Sequence, residues 1–490
     1  MAWRYLAIVL TPLAACAATC ESLAKFELPH AAITAAQTVR DQWPVAIRNQ
    51  AAPKQPFCRV AATLKPTSDS DIAIEVWMPE SGWNAKYEAV GNGGWSGSIA
   101  YAAMATAVSA GYAVSSTDTG HQGGSASFAP GHPEKLIDYA YRSEHEMTVA
   151  SKLLIAAFYG NAPKLSYWNG CSAGGKQGLK EAQRYPQDFD GIVAGSPAAN
   201  WVGRSAQSLW VAQAEHKDEA SYIPPAKYPA IHRAAMAACD ELDGVKDGVI
   251  ENPRACKFDP QALLFKADDD AECLTAAQVE TARKIYGDST NPRTGARLYA
   301  GLAAGSELDW RIWGGPQPLG IGLDHFRYVV FENPQWDYHT LNFDRDITRA
   351  EDLDHDRIDA LDPNLKPFFA HGGKLIQYHG WSDAQISPGN SLDYFESVKA
   401  RMGDVSDSYR LFMVPSMGHC GGGEGATSFN AMPALEQWVE QKAPPQQIVA
   451  KRAKGGEADW THPLCPYPQV AVYKGNGNPK DAANFVCKVR

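Results

Sequence analysis

Polar and apolar residues alternate with period two through Asp71-Ile72-Ala73-Ile74-Glu75-Val76-Trp77-Met78-Pro79, the pattern of a half-buried strand, within a β-rich stretch from Cys20 to Pro79. Beyond it the period switches repeatedly between two and 3.6. Strands are expected at 87–90, 111–116, 164–168 and 189–195, and helices at 101–110, 142–158 and 175–183. Strands alternating with helices predict an α/β chain built on a mostly parallel sheet covered on both faces. The rhythm stops after Trp201. From 203 to 363 only short helical stretches (228–238, 275–286) interrupt Pro/Gly-rich, aromatic loops, where Trp310, Trp313, Phe326, Tyr328, Phe331 and Trp336 crowd together. Those aromatics suit either a small separate core or a cap over a binding site. Sheet character returns at 373–380 and 409–414. The predicted organisation is one domain from 20–202 and 364–490, with 203–363 inserted into it.

Charge and targeting signals narrow the classes. A net charge of -10 argues against nucleic acid as a partner. Arg4, the apolar run 5–12 and the small residues 14–18 predict a signal peptide over 1–19, too short for a transmembrane span. Leu13-Ala14-Ala15-Cys16 also resembles a bacterial lipoprotein signal, in which Cys16 would carry a lipid anchor; the other reading is a small residue in a discarded peptide. Either way the mature chain is expected to be secreted or periplasmic, where disulfides are the default for its cysteines. Spacing suggests Cys20–Cys58, Cys239–Cys256 and Cys465–Cys487 as local staples, leaving Cys171, Cys273 and Cys420.

Gly170-Cys171-Ser172-Ala173-Gly174 fits G-x-S-x-G, a strand-to-helix turn that presents a nucleophilic serine at the top of an α/β-hydrolase sheet. In that reading the N–H of Ala173 is one oxyanion donor. The glycine-rich run from Gly91 to Gly97 then supplies the second, from Gly93 or Gly94. The same run is a poor G-x-G-x-x-G, which leaves a dinucleotide-binding oxidoreductase as the alternative of another class. Asp383 follows one late strand and His419 the next, so Ser172, Asp383 and His419 occur in the α/β-hydrolase order. His145-Glu146 begins H-E-x-x-H, but position 149 is Val, and the zinc motif fails. Asp240, Asp243 and Asp247, with the carbonyls of Val245 and Val249, offer hard oxygen ligands of the kind calcium takes; a plain acidic turn is the alternative. Cysteines stand directly before Ser172 and directly after His419. A bridge between them would hold their Cα atoms within about 7 Å and tether nucleophile to base.

These residues resemble the tannase/feruloyl esterase family, which also contains mono(2-hydroxyethyl) terephthalate hydrolases. The resemblance rests on Cys171-Ser172-Ala173-Gly174-Gly175, His379-Gly380-Trp381-Ser382-Asp383, His419-Cys420 and Cys465-Pro466-Tyr467-Pro468, and spans nearly the whole mature chain. It implies an α/β-hydrolase fold with a large inserted lid, a Cys171–Cys420 disulfide, and a structural calcium at Asp240, Asp243, Val245, Asp247 and Val249. It implies a serine carboxylesterase acting through an acyl-enzyme on a small aromatic ester, carried on plant polysaccharide or polyphenol. Feruloyl esters are expected first, galloyl esters second and terephthalate monoesters third, with the lid aromatics holding the planar acid. The chain departs from the family where Leu264-Phe265-Lys266 precedes Cys273-Leu274-Thr275 without a second cysteine, so Cys273 is expected to remain a thiol.

Overall fold

The computed structural model describes residues 18–47, 51–265, 271–454 and 457–490. Residues 1–17 of the expected signal peptide, Cys16 among them, lie outside that set, as does Lys266. Nine strands form the central sheet: β1 (Ala31–Val39), β2 (Phe57–Leu64), β3 (Ile72–Pro79), β4 (Lys86–Val90), β5 (Ala113–Thr117), β6 (Leu165–Cys171), β7 (Gly191–Gly195), β8 (Lys374–Gly380) and β9 (Tyr409–Val414). Their order is β1-β2-β3-β5-β4-β6-β7-β8-β9. β1, β2 and β3 pair antiparallel, as does β3 with β5; every pairing from β5 to β9 is parallel. Parallel strands need crossovers. Helices α1 (Tyr101–Ser109), α2 (Ser143–Tyr159) and α3 (Ala173–Arg184) supply the early ones. Two apolar clusters enclose the sheet. One joins Trp168, Leu179, Ile192 and Leu375, and the other Tyr167, Val193, Ile376 and Phe412. The strand residues alternate between them, as a sheet buried on both faces requires. This is the α/β-hydrolase architecture.

Between β7 and β8 the chain leaves the sheet. It forms α4 (Trp201–Glu215), α5 (Tyr228–Cys239), α6 (Ala276–Tyr286), α7 (Arg345–Asp354) and short turns, then rejoins the sheet one strand over. Helix α4 was not expected. Its polar Arg204, Ser205, Gln207 and Ser208 are as buried as its Leu209 and Val211, so no amphipathic stripe marks it. For most of the crowded aromatics the separate-core reading holds. Trp310 and Trp313 are fully buried in one core of the insert, and Phe326 and Trp336 in another, where Phe331 and Trp336 stack at 4.9 Å. They pack the insert rather than face a ligand, and only Tyr328 is turned toward the cluster beside the sheet.

Helices α8 (Pro388–Met402) and α9 (Met432–Gln441) complete the core, and two hairpins (Ile448–Lys454 with Glu457–Leu464, Gln469–Tyr473 with Phe485–Val489) close the chain. Among the described residues four disulfides cross-link it: Cys20–Cys58, Cys171–Cys420, Cys239–Cys256 and Cys465–Cys487. Cys273 takes no part in these bridges. Among the described residues no helix is long and apolar enough to cross a membrane.

Candidate active site

Ser172, Asp383 and His419 follow the C-terminal ends of β6, β8 and β9, the edge where parallel sheets bind ligands. Ser172 itself sits at φ 65°, ψ -124°, a left-handed conformation costing about 1–3 kcal/mol for a residue with a Cβ. The surroundings enforce it. Ser172 N–H donates to Gly195 O (2.9 Å), and Ser172 O accepts from Lys176 (3.0 Å) and Ala198 (3.1 Å). Helix α3 starts at once, which leaves no room for a side chain at Gly170 or Gly175. A Cβ on Gly170 would lie 2.5 Å from the Gly174 carbonyl carbon, and one on Gly175 would collide with Gly195 O. The glycines of the motif are therefore steric requirements of the elbow.

The acid and the histidine lie on interlocked loops. Trp381 N–H donates to Val414 O and Ser382 N–H to Met417 O, each at 2.9 Å, while a Cβ on Gly380 would strike Met417 O. His419 Nδ1–H donates to Asp383 Oδ2 at 2.7 Å, which leaves Nε2 unprotonated and able to act as a base. Asp383 is fully buried, and its Oδ1 accepts from the N–H groups of Gln385 (2.8 Å) and Ile386 (3.0 Å). A second imidazole also reaches it. His379 Nε2 lies 3.2 Å from Asp383 Oδ2 and 3.0 Å from Ile386 O, so that nitrogen carries the proton and Nδ1 accepts from Ser391 Oγ–H (2.7 Å). Burial alone would raise the Asp383 carboxyl, but His419 and His379 hold it well below the usual carboxylate range. Sequence reasoning quoted His379 only as part of a motif. Its i, i+4 spacing from the acid was the available signal.

The Cys171–Cys420 bridge spans a Cα separation of 6.0 Å and joins the residue before Ser172 to the residue after His419. Cys420 has a positive φ (62°), as has Ser172 beside the other end of the tether.

The glycine loop after β4 lies against the elbow: a Cβ on Gly91 would be 2.5 Å from Gly174 Cα. Its carbonyls are occupied by donors, Gly93 O by Ser96 N–H (2.9 Å) and Gly94 O by Tyr139 Oη–H (2.7 Å). Among the described residues no acceptor takes the N–H of Gly93, Gly94 or Ala173. Donors without acceptors beside a nucleophile are what an oxyanion site consists of. The loop does not open a helix, since Gly97 bridges to Gly123 and α1 begins only at Tyr101, so the dinucleotide alternative lacks its helix N-terminus.

The aspartate loop follows α5 and is bracketed by Cys239–Cys256. Asp240 Oδ1 accepts from Asp247, Gly248 and Val249 N–H (3.2–3.3 Å), and left-handed turns at Gly244 and Gly248 fold the loop around it. Burial pushes Asp243 and Asp247 up to about 6. Asp240 and Glu251 add to the rise at Asp243, and Asp243 and Asp240 to that at Asp247. Among the described residues no three His, Cys, Asp or Glu side chains form a metal-holding group on their own, so any ion there would need main-chain oxygens as well. The donor set, all hard oxygens with an excess of negative charge, fits calcium in kind.

The sequence profile described as "Tannase and feruloyl esterase" matches residues 58–488. An esterase of Xanthomonas campestris is 38% identical, covering 88% of this chain and 84% of its own. A protein named probable feruloyl esterase B-2 from Aspergillus terreus is 35% identical, over 88% of this chain and 86% of its own. The crystal structure of feruloyl esterase B from Aspergillus oryzae superposes with a TM-score of 0.91 at 31% identity, covering 96% of this chain and 99% of that one.

Proposed function

This chain belongs to the tannase and feruloyl esterase family and is a carboxylic ester hydrolase, and from that premise we propose a serine acyl-transfer mechanism on aromatic esters, feruloyl-type esters foremost. The observation that carries the mechanism is the 2.7 Å His419–Asp383 bond on a loop covalently tied to the Ser172 elbow. In the proposed cycle, His419 Nε2 takes the Ser172 proton as Oγ attacks the ester carbonyl. Asp383 holds the imidazole in the Nδ1–H tautomer and stabilises the cation that forms. The N–H groups of Ala173 and of Gly93 or Gly94 receive the oxyanion, each worth about 3 kcal/mol. Collapse breaks the C–O bond, His419 protonates the departing alkoxide, and water, deprotonated by His419, hydrolyses the acyl-enzyme to free the acid and Ser172.

The four disulfides and the N-terminal segment support secretion, and the net negative charge is compatible with a neutral polysaccharide or polyphenol carrying the ester. Calcium belongs to the same reading. Asp240, Asp243 and Asp247, with the carbonyls of Val245 and Val249, would hold it, and it would contribute charge neutralisation to the loop and no chemistry to the ester.

The test is Ser172→Ala assayed on methyl ferulate, propyl gallate and a terephthalate monoester. We expect loss of all detectable turnover with the melting temperature kept, and the wild-type kcat/KM highest on methyl ferulate. Turnover persisting in the variant would falsify the nucleophile, and a higher wild-type kcat/KM on the gallate or terephthalate ester would reassign the acyl group.

A further inference from the structure

The oxyanion donors come from two separate segments, the first residue of α3 and the loop after β4, so something must set one against the other. We propose that Gln177 is the positioning residue that does this, acting through Asn92; the proposal rests on the serine mechanism above. Gln177 is buried on α3, the helix that begins with Ala173. Its Nε2–H donates to Asn92 Oδ1 (2.9 Å), and its Oε1 accepts from Asn92 N–H (3.2 Å). The Asn92 amide is thereby fixed in one orientation, and its Nδ2–H turns to Ser96 O (2.9 Å) and Thr117 O (3.4 Å). Asn92 thus ties both ends of the 92–96 loop, and Gly93 and Gly94 lie between its two attachments.

Backbone contact between Gly91 and Gly174 sets how close the loop can come, and Gly91 N–H on Asn169 O (3.1 Å) and the buried Trp95 anchor its two ends. The two-point amide pair is the attachment that ties it directly to α3. With Ser96 and Tyr139 drawing the carbonyls of Gly93 and Gly94 into hydrogen bonds, the peptide N–H groups are left to the ester. Oxyanion donors act only within about 2.7–3.1 Å of the developing charge, and a displacement near 1 Å costs about 100-fold in rate. Gln177 touches no substrate in this account; it acts through the loop.

Gln177→Met removes both partners at similar length. Gln177→Glu is nearly isosteric, keeps the acceptor for Asn92 N–H and sets a carboxylate oxygen against Asn92 Oδ1 and beside the buried Glu144. Both are expected to lower kcat on methyl ferulate by about 10- to 100-fold with KM within about 3-fold. A trifluoromethyl ketone analogue of the ester, which forms a hemiketal oxyanion on Ser172, should weaken in step with kcat/KM. Ferulate, a product that places no oxyanion in the hole, should inhibit as before. If Gln177→Met melts early, Gln177→Glu carries the test. Turnover within 3-fold of wild type in the folded variants would overturn the role. So would a fall in kcat with the ketone's affinity unchanged, because that pattern denotes a structural defect elsewhere. Ser172→Ala separates the two levels: activity surviving there sinks the serine reading itself, whereas a dead Ser172→Ala beside fully active Gln177 variants removes only Gln177.

Discussion

Two carboxylates are equally buried in this molecule and fare differently. Asp383, at the end of β8, receives two backbone N–H groups and two imidazoles. Glu215, at the end of α4 in the insert, receives the Ile223 N–H at 2.9 Å on Oε2, and among the described residues nothing donates to its Oε1. Burial therefore pushes Glu215 up to about 8, while Asp383 stays well below the usual range. The strand-end region concentrates donors where a negative charge must persist beside an imidazolium. The insert tolerates an acid that keeps its proton near neutrality and serves as packing. The aspartate loop is an intermediate case, where Arg490 beside Asp243 and His462 beside Asp247 oppose a rise that burial and the neighbouring carboxylates nonetheless impose.

Asp383→Asn breaks this comparison most severely. Without the carboxylate His419 loses the group that fixes its tautomer, and kcat on methyl ferulate should fall by about 10³- to 10⁴-fold with little change in the fold. Stopped-flow or steady-state kinetics checks it, and a loss below 10-fold would remove Asp383 from the mechanism. Separating the two loops comes next. In Cys171→Ala/Cys420→Ala the 249-residue span opens. The chain-entropy model assigns such a closure about 5 kcal/mol, and kcat should drop about 10-fold or more as His419 drifts from Ser172. Unaltered kcat with a lowered melting temperature would reduce the bridge to a stabiliser.

Chelation tests the middle case. After exhaustive treatment with EGTA the melting temperature at pH 8 should fall by about 2 °C, on the order of 2 kcal/mol for a chain of this length. Calcium, not magnesium, should restore it, and an unchanged melt would leave the loop a plain acidic turn. Glu215→Gln should leave activity unchanged and reports the sign of the contrast. A carboxyl raised in the folded state stabilises below its unfolded value, about 4.3, and loses that contribution as pH rises through about 8. The variant should come close to wild type at pH 5 and exceed it at pH 9 by up to about 5 kcal/mol. Equal stability at pH 9 would mean that Glu215 finds a partner when charged.

What could be read in advance divides along the same line. The elbow is legible because sterics write it into glycine: positions 170 and 175 face backbone at distances that exclude a Cβ, and position 174 faces it at a tight 3.0 Å. The strands from Ile72 to Pro79 and Tyr409 to Val414 are legible from their apolar residues, but the first is buried on both faces rather than half-buried as its alternation implied, because the sheet is covered on both sides. The insert lacks such a rule. Helix α4 is buried all round, so its polar residues masked its period, and Trp310 and Trp313 turned out to be core because cores and binding sites draw on the same aromatics. His379 and Gln177 were visible only as neighbours of motif residues; their partners, Asp383 and Asn92, come from contacts that local spacing does not encode for Gln177 and barely encodes for His379.

The acyl-enzyme is the central claim, and trapping it is the direct test. The protein is mixed with p-nitrophenyl ferulate, quenched in acid within milliseconds, digested and examined by mass spectrometry. The account predicts a feruloyl adduct on Ser172, formed in a burst matched to p-nitrophenol release and lost in Asp383→Asn on that timescale. A burst with the adduct on another residue would contradict it.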